Sequence, residues 1–437
     1  MREMKDSGVV SIGMIPVEWK TIKLKFLFGD GNEGLKIGPF GSAMKGKTLE
    51  SGEYKIYNQA HLINNDFSLN RHFVSEETFQ ELRNYEVKPG DVLFSMMGTI
   101  GKCRIMPEGY PKGIMDSHLL KAGLNLNIVH PQYFVYAYDK DYSSQVIEQL
   151  LYSSNGTIMN GLNSTILKNV KIAMPSSLGM QRKIVNYLDT KCSKIDEIIE
   201  KQQAIIEKLK EYKFSIITEA VTKGINPDVE LKDSTIDMCE QIPVHWSISQ
   251  NRYLFSLRDE KNYKPLEEVR LLSLYTDLGV FPHGEQEERG NKAVKAEGYK
   301  VVYENDIVVN IILAWMGAIG RSAYDGVTSP AYDIYKPNEN VCSRYYHYLY
   351  RTKPFSAECY KYGRGIMAMR WRTYSSEFKS IKVPVPPYIE QCQIADYLDS
   401  KCEMLDKTIA DRNKAIDKLQ EYKKSLIYEV VTGKKEV

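Results

Sequence analysis

The segment GSAMKGKT, residues 41–48, has the residue types and the spacing of a phosphate-binding loop, GxxxxGK[ST]. In such a loop, backbone N–H groups and a following helix hold a phosphate, and the lysine reaches its outer oxygens. The chemistry would be transfer or hydrolysis of a nucleotide phosphate. However, the motif needs a buried strand before it and a helix after it, whereas GNEGLKIGPF precedes it and Gly52 interrupts the segment after it. This context favours a Gly- and Lys-rich surface loop.

A second motif, PVPPYIEQ at residues 384–391, resembles the [DN]PP[YFW] tetrapeptide with which amino-methyltransferases hold the target amine. Val385 stands where Asn or Asp is needed, and no Gly-rich cofactor loop accompanies it. The alternative is a Pro-rich stop before a helix. The seven histidines are scattered, and the seven cysteines stand singly without the spacing of a zinc site. We therefore predict no catalytic residue, no metal site and no cofactor in this chain.

Composition and charge narrow the class of protein further. There is no run of 18 apolar residues and no apolar stretch near the N-terminus, so we expect neither a membrane span nor a secretory signal. Single cysteines fit a reduced, cytoplasmic protein. The net charge is only +2. Any nucleic-acid binding must therefore come from local patches of basic residues.

The chain repeats itself. Residues 181–222 align with 391–432 without a gap, and 20 of the 42 positions are identical. A second pair opens each half, KDSGVVSIGMIPVEW at 5–19 and KDSTIDMCEQIPVHW at 232–246. The regions between them hardly align, except for MGTIGK (97–102) and MGAIGR (316–321). Self-similarity on this scale predicts two copies of one architectural unit.

The two aligned segments predict long helices, because apolar residues recur with 4-3 spacing over about six heptads. Each segment ends near a glycine, Gly224 or Gly433. A helix of 42 residues spans about 63 Å and needs a partner along its length. We predict that the two helices pair antiparallel; the alternative is that each packs only on its own domain. The predicted helix–helix seam consists of Ile184, Leu188, Ile195, Ile198, Ile205, Leu209, Tyr212, Ile216, Ile394, Leu398, Leu405, Leu419, Tyr422 and Leu426.

The variable regions predict mixed structure, with strands such as GDVLFSMMG (90–98) and aromatic helices such as those within 133–152 and 344–363. The predicted fold class is α+β: two α/β domains joined by two long antiparallel α-helices in a coiled coil, with an internal pseudo-two-fold repeat. Divergent domains on nearly identical helices are typical of a bivalent reader, a protein that binds its target through two linked modules. Once the first module has bound, binding of the second is intramolecular.

In their doubled order these motifs resemble the specificity (S) subunit of type I restriction–modification enzymes over almost the full length. Besides the two opening segments, the marks are GPFGS (38–42), GDVLFSMMGTIGK (90–102), SPAY (329–332) and PPYIEQCQIADYLDSK (386–401). The first copy departs from the pattern, with SSLGMQRKI in place of PPYIEQCQI. GPFGS also has no counterpart in the second half, where EVRLLSLYTDLGV (268–280) stands.

The resemblance implies target-recognition domains at 1–180 and 225–390, and conserved spacer helices at 181–224 and 391–437. It implies that each domain reads one half of an asymmetric, split DNA target, and that the helices set the gap and dock two modification (methyltransferase) subunits. In such a family the S subunit performs no chemistry. S-adenosylmethionine, ATP and magnesium belong to partner subunits, which include a restriction (translocase/nuclease) subunit.

Candidate DNA contacts can be chosen by side-chain chemistry. In the major groove Arg and Lys bind guanine, Asn and Gln bind adenine, and Ser and Thr suit several bases, while Gly-rich loops approach phosphates. In the first domain the candidates are Ser42, Lys45, Lys47, Asn58, Gln59, Ser95, Thr99 and Lys102. In the second they are Arg270, Ser273, Tyr275, Asn310, Trp315, Arg321, Tyr332, Arg364, Arg370 and Arg372.

Two other functions stay open on the sequence alone. One is a coiled-coil adaptor without sequence-specific DNA binding. The other is a phosphate-loop NTPase with coiled-coil arms, which would depend on Lys47 for ATP binding.

Overall fold

The structure is a computed structural model that describes residues 2–30, 34–39, 41–69, 72–142, 145–153, 162–276, 278–284, 296–365 and 371–437. Its contacts divide the chain into two compact units. Unit 1 comprises residues 1–202 with 413–437, and unit 2 comprises residues 203–412. Each unit therefore contains one variable region and a part of both long helices.

Unit 1 opens with the β1–β2 hairpin and alternates short strands with short helices up to the first long helix, α7. The strands are β1 (Met4–Asp6), β2 (Met14–Pro16), β3 (Lys20–Lys23), β4 (Lys36–Ile37), β5 (Tyr54–Tyr57), β6 (Phe73–Val74), β7 (Val92–Ser95), β8 (Cys103–Ile105), β9 (Gly113–Met115), β10 (Leu119–Ala122) and β11 (Lys171–Met174). The helices are α1 (Gly41–Met44), α2 (Gln59–Asn64), α3 (Glu76–Glu81), α4 (Pro131–Tyr138), α5 (Ile147–Ser153), α6 (Ser164–Asn169) and α7 (Leu178–Lys223).

Unit 2 likewise consists of short strands and short helices that lead to the second long helix. The strands are β12 (Leu231–Ile236), β13 (Cys239–Pro243), β14 (Ser247–Gln250), β15 (Phe255–Arg258), β16 (Leu272–Tyr275), β17 (Gly279–Pro282), β18 (Lys300–Val302), β19 (Ile307–Asn310), β20 (Ile319–Arg321), β21 (Gly326–Thr328), β22 (Tyr332–Pro337) and β23 (Lys382–Val385). The helices are α8 (Asn251–Leu254), α9 (Ser343–Tyr350), α10 (Lys353–Tyr362), α11 (Ser375–Ser380) and α12 (Tyr388–Val431).

The same antiparallel sheet occurs in both units. Its strand order is β4-β10-β7-β8 in unit 1 and β15-β22-β19-β20 in unit 2. In each, a central strand is buried along its whole length: VLFS of β7 and IVVN of β19. The short sheets β11-β3 and β14-β23 also correspond. Two regions whose sequences hardly align therefore share one fold, which confirms the predicted α+β class.

The units differ in the strands around this shared sheet. Unit 1 has a three-stranded sheet, β6-β5-β9, in which β5 and β9 are parallel. Unit 2 has instead two pairs, β16-β17 and β18-β21. The segment 268–280 forms β16 and the start of β17, whereas GPFGS comes after β4 and runs into α1. Sequence divergence is thus matched by a different arrangement of strands.

The long helices run antiparallel within each unit. In unit 1, Ile184 and Leu188 near the start of α7 share a core with Val430 and Val431 at the end of α12. In unit 2, Ala220 and Val221 share a core with Ile394 and Leu398 in the same antiparallel sense. The helices end before Gly224 and Gly433, whose φ angles of 80° and 72° are in the left-handed region that favours glycine.

The same ion pair recurs in both units. Lys423 Nζ lies 2.7 Å from Asp196 in unit 1, and Lys213 Nζ lies 2.7 Å from Asp406 in unit 2. Asp196 aligns with Asp406, and Lys213 with Lys423. The repeat in the sequence is therefore also a repeat of contacts.

The buried stripe of each helix differs from the predicted seam by one residue at every second position. Ile198, Tyr212 and Tyr422 are exposed, at 44%, 57% and 53% of their surfaces, and Ile205 is half-buried. Their neighbours carry the stripe instead. The positions that face inward are Cys192, Ile199, Ile206 and Lys213 in α7, with Cys402, Ile409, Ile416 and Lys423 in α12. The other predicted seam residues are buried or half-buried.

The physical reason for this shift is visible at the start of the stripe. After Ile184 and Leu188 the next buried residue is Cys192, which adds a 4-residue step before the 4-3 alternation resumes. A straight helix has 3.6 residues per turn, so a strict 3.5 repeat drifts off the buried face. The alternation therefore starts one residue later than apolarity alone suggested.

No helix in the described part of the chain is long and apolar enough to cross a membrane.

Candidate nucleic-acid interface

In unit 1 the structure brings three predicted contacts together at the end of β7. Gln59 Nε2 donates to Ser95 Oγ at 3.1 Å and to the Met97 carbonyl at 2.8 Å. Ser95 Oγ lies 2.7 Å from Thr99 Oγ1. Asn58 adjoins them as the N-cap of α2, where its Oδ1 accepts the Ala60 N–H at 3.0 Å. The cluster therefore ties α2 to the loop that comes after β7.

The loop itself presents an apolar side chain. Met97 is 50% exposed, and Met316, in the corresponding loop after β19, is 54% exposed. The next residues, Gly98 and Gly317, have φ angles of 66° and 87°. A β-carbon is disfavoured there, which accounts for the shared MG dipeptide.

Lys102 closes the same loop from the inside. It is 9% exposed, and its Nζ donates to the Ile63 carbonyl at 3.2 Å and lies 2.7 Å from Asp141 Oδ2. Burial acts to raise the pKa of Asp141, but the hydrogen bond and charge of Lys102 outweigh it and leave that pKa lowered. Lys102 therefore positions the loop and is poorly placed to reach a base.

The phosphate-loop look-alike does not have the expected context. Ser42 lies in the four-residue helix α1, and the preceding β4 has only two residues. Lys47 Nζ pairs with Glu81 Oε2 at 2.6 Å, while Lys45 is exposed. Neither lysine belongs to the Gln59 cluster. The short helix and the engaged lysine match the surface-loop interpretation.

In unit 2, Asn310 and Trp315 shape the loop after β19. Asn310 is 7% exposed, and its Oδ1 accepts the N–H of Ile312 at 3.0 Å. Trp315 is half-buried; its Nε1 donates to the Ile312 carbonyl at 3.0 Å, and its ring lies 5.8 Å from that of Tyr360. Tyr360 in turn stacks on Trp371 at 4.9 Å. Asn310 is thus a turn-forming residue, whereas Trp315 belongs to an aromatic surface.

Two predicted tyrosines adjoin this loop. Tyr332 is paired across strands with Asn310. Burial raises the pKa of Tyr332, and the neighbouring Tyr275 raises it further. The Tyr332 hydroxyl therefore stays protonated at neutral pH and can donate a hydrogen bond.

The Arg-rich segment 364–372 is held at its base. The backbones of Arg364 and Arg372 exchange two N–H···O bonds of 2.9 Å each. The Arg364 side chain is 77% exposed and lies 2.8 Å from Glu377 Oε1, and Arg372 Nη1 donates to the Trp371 carbonyl at 3.0 Å. Arg370 lies outside the described residues. The base of the segment therefore presents at least one arginine to solvent.

The remaining candidates are spread over the β16-β17 and β20 region. Arg270 is exposed and lies 5.6 Å from the ring centre of Tyr324. Ser273 Oγ lies 2.7 Å from His283 Nδ1. Arg321 is bound by Asn305 Oδ1 at 2.8 Å and Glu304 at 3.3 Å. The structure thus pairs Asn310 with Tyr332, and Tyr324, the neighbour of Arg270, packs on the same apolar cluster as Tyr332.

Sequence reasoning missed a set of side chains that fasten the aromatic helices α4 and α9 to the long helices. Buried Gln181 and Gln391 accept the N–H of His130 at 2.8 Å and of Cys342 at 2.9 Å. Two tyrosines in the last turns of α4 and α9 complete the joint. Tyr136 and Tyr348 donate to Asp189 and Asp399, each at 2.6 Å.

A third hydrogen bond in each unit joins the aromatic helix to the end of the other long helix. Tyr133 donates to the Val431 carbonyl at 3.0 Å, and Tyr345 donates to the Val221 carbonyl at 2.7 Å. Val221 and Val431 align in the repeat, as do Gln181 with Gln391 and Asp189 with Asp399. The sequence did contain a signal for these joints. Gln181 and Asp189 are identical to Gln391 and Asp399, whereas many other surface positions of the two helices differ.

Comparisons with known proteins agree with this geometry. The family model "Type I restriction modification DNA specificity domain" matches residues 16–211. A putative type I restriction enzyme MjaX specificity subunit of Methanocaldococcus jannaschii is 25% identical, over 97% of this chain and 95% of that protein. The MjaVIII specificity subunit of the same organism is 23% identical, over 74% of each chain.

Solved structures show the same fold. A chain from a study of complex assembly and conformational transition of the type I R-M system has a TM-score of 0.68 at 12% identity, covering 95% of this chain and 98% of its own. The HsdS subunit from Thermoanaerobacter tengcongensis has a TM-score of 0.53 at 14% identity, covering 96% and 98%. The doubled domains, the paired helices and the coverage by specificity subunits agree with one another: residues 16–211 match the type I restriction modification DNA specificity domain, and nearly the whole chain is similar to type I specificity subunits.

Proposed function

We propose that each recognition domain reads one half of an asymmetric, bipartite DNA target. The observation that carries this proposal is the shared four-stranded sheet, repeated with the same joints to the long helices but with different strands around it. The shared sheet holds the DNA-facing surface of each domain in the same way. The strands around the sheet differ between the domains and read different bases. An asymmetric target is expected, because the two sets of candidate contacts differ in residue type and position, apart from Lys102 and Arg321 at the ends of the shared MGTIGK and MGAIGR segments.

In unit 1 the proposed base reader is Gln59, supported by Ser95 and Thr99. The Gln59 amide N–H groups point to Ser95 Oγ and the Met97 carbonyl. Its carbonyl oxygen is then available to accept from an amino group of adenine or cytosine at the groove edge. Exposed Lys45 suits phosphate contact, which adds affinity but no sequence information.

In unit 2 we propose that the loop after β19 and the segment 364–372 face the DNA. Trp315, Tyr360 and Trp371 form a continuous aromatic surface beside an exposed Arg364. Aromatic and guanidinium groups together suit contact with both base and backbone. Asn310 and Lys102 have structural roles in this proposal, since both are buried and hydrogen bonded.

The long helices are proposed to set the gap between the two half-sites and to dock two modification subunits. Methyl transfer and ATP-driven cleavage are assigned to partner subunits, which would hold S-adenosylmethionine, ATP and magnesium, while this chain is non-catalytic. We place the complex in the cytoplasm, with restriction subunits in the full assembly. This assignment is supported by the similarity to type I specificity subunits and by the exposed outer faces of both helices.

The test is a map of methylated bases in host DNA, with and without the gene. We expect one split motif with a fixed unspecified gap to lose its methylation. Exchanging residues 225–390 for the corresponding domain of a related subunit should change only one half of the motif. If no motif changes in a host with working modification subunits, the adaptor interpretation replaces this one.

A further inference from the structure

Two thiols meet where the recognition domain of unit 2 joins the long helix. Cys342 is the N-cap of α9, and Cys392 lies in the first turns of α12. The Cys342 N–H donates to Oε1 of Gln391, the neighbour of Cys392, at 2.9 Å. The side chains of Cys342 and Cys392 are close enough to interact, since Cys392 acts to raise the pKa of Cys342, and it acts in the same way on the pKa of Tyr388.

This pair differs from the other five cysteines of the chain. All seven are free thiols, but Cys342 and Cys392 are only partly buried, whereas the remaining five are buried. A reagent in solution can therefore reach these two. Burial raises the pKa of Cys342, while the backbone N–H groups of Tyr345 and Arg344 at the start of α9 act to lower it. The pKa of Cys342 stays above that of an ordinary thiol, so alkaline pH is needed to form the thiolate, which is the reactive form.

We propose that Cys342 and Cys392 are an oxidisable dithiol, which forms an intrachain disulfide between the recognition domain and the long helix. The joint already holds the two residues together through Gln391, and through the ion pairs of Arg344 with Asp396 and Asp399. The bond joins two elements that already contact each other. It converts a hydrogen-bonded joint into a covalent one.

The oxidant is a small-molecule disulfide of the glutathione class, and the reaction is thiol–disulfide exchange. The Cys342 thiolate attacks one sulfur of the oxidant and displaces a small thiolate, which takes up the proton that Cys342 lost. The thiolate of Cys392 then attacks the Cys342 sulfur and displaces the second small thiolate, which takes up the proton of Cys392. Two protein thiols are oxidised, and one disulfide is reduced to two thiols.

Unit 1 provides a natural contrast at the same joint. His130 stands where Cys342 stands, since its N–H donates to Gln181 as that of Cys342 donates to Gln391. Arg182 aligns with Cys392. The reaction is therefore confined to unit 2, and one recognition domain becomes sensitive to oxidation while the other does not.

The experiment uses the full-length chain and oxidised glutathione at about pH 8.5, near the ordinary pKa of a thiol. Free thiols are then blocked with iodoacetamide, and the unreduced protein is digested with trypsin and analysed by mass spectrometry. The peptides differ because cleavage occurs after Arg344 and Lys382. We expect a cross-linked pair of peptides that contains Cys342 and Cys392, with the loss of two alkylated thiols, and recovery of both after dithiothreitol.

Matched variants make the outcome decisive. In Cys342→Ser and Cys392→Ser, the cross-link must disappear and the remaining cysteine must be recovered as a mixed disulfide or as an alkylated thiol. Cys359→Ser, at a buried position in the same unit, must leave the cross-link unchanged. The proposal is overturned if the wild-type chain carries glutathione on Cys342 or Cys392 without the link, if neither thiol reacts, or if the buried cysteines are linked as readily.

Discussion

At the scale of single residues, the buried polar side chains act mainly as fasteners between elements. Gln391 is 1% exposed, accepts the Cys342 N–H and donates from Nε2 to the Pro386 carbonyl at 2.8 Å. A buried backbone group that loses its partner incurs the full desolvation penalty. The residues that hold the recognition domains in place are therefore as consequential as those that meet DNA.

Replacing Gln391 by Ala should destabilise the joint of unit 2 by about 2–4 kcal/mol, since it leaves two buried groups unpaired and removes side-chain volume. Hydrogen exchange of peptides from 343–350 and 388–400 is the measurement, and faster exchange in both is expected. Gln393→Ala, at an exposed position on the same helix, serves as the control and should change little. Equal effects of the two variants would contradict this role for Gln391.

His347 makes unit 2 sensitive to acid. It is half-buried, its Nδ1 accepts the Arg321 N–H at 3.1 Å, and burial, then Arg351 and Arg321, lower its pKa to about 3. Because the pKa of His347 is lower in the folded state, folding favours its neutral form. This contribution to stability is present above the unfolded pKa of about 6.5 and is lost as the pH falls toward 3. Protonation therefore favours the unfolded chain across this window.

We expect the wild-type unit 2 to lose about 1–2 kcal/mol of stability between pH 7 and pH 5 through His347. In His347→Asn, whose Oδ1 can accept the same N–H, that loss should be absent. The pH dependence is measured by urea unfolding at pH 7, 6 and 5, with hydrogen exchange of α9 as the probe of unit 2. A variant with the same slope as wild type would show that another group titrates.

At the scale of elements, the long helices show that the position of an apolar residue matters more than its type. Ile195 and Ile198 lie within one turn of α7, yet they are 7% and 44% exposed. The positions that drop out of the predicted seam vary between the copies: Ile198 and Ile205 align with Thr408 and Ala415, whereas the inward-facing Ile199 and Ile206 align with Ile409 and Ile416. Agreement between the copies marks the buried face at these isoleucine positions, although Tyr212 and Tyr422 are identical and exposed.

Substitutions at these two positions test the stripe. Ile195→Ala should destabilise unit 1 by about 2–4 kcal/mol, because it leaves a cavity in the core. Ile198→Ala, as the matched control, should have an effect below about 1 kcal/mol, since most surface changes are small. Chemical denaturation followed by circular dichroism measures both. A larger loss at Ile198 would restore the seam predicted from the heptads.

At the scale of the whole molecule, the chain builds each unit from distant parts of the sequence. The opening segment of unit 1 packs on the end of the last helix, where the Tyr428 hydroxyl donates to the Ser11 carbonyl at 3.2 Å. In unit 2, Trp246 lies beside Gly224 at the end of α7. Each long helix thus begins in one unit and ends in the other, which is the arrangement that a proposed spacer requires.

Shortening both helices together tests the spacer. Deleting 201–207 and 411–417 removes one heptad from each and leaves the Asp196–Lys423 and Lys213–Asp406 pairs in place on either side. Seven residues correspond to about 10 Å of helix, or about three base pairs. We expect the methylated motif to keep both half-sites with a shorter gap. New half-sites with the original gap would argue against a helical spacer.

The sequence by itself determined the repeat, the α+β class, the long helices with their glycine ends, and the resemblance to type I specificity subunits. These features depend on local periodicity and on identity between two copies, which survive without knowledge of tertiary contacts. The pairing of the two helices was also predictable, because each helix needs a partner over its length.

Only the tertiary structure decided which residues lie inside. The heptad stripe shifts to Cys192, Ile199 and Ile206 because the helix packs with 3.6 residues per turn on a domain as well as on its partner helix. Lys102 and Asn310, chosen for their chemistry, are buried and bonded to backbone groups. A side chain's type states what it can bind, whereas its partners depend on elements that are far apart in the sequence.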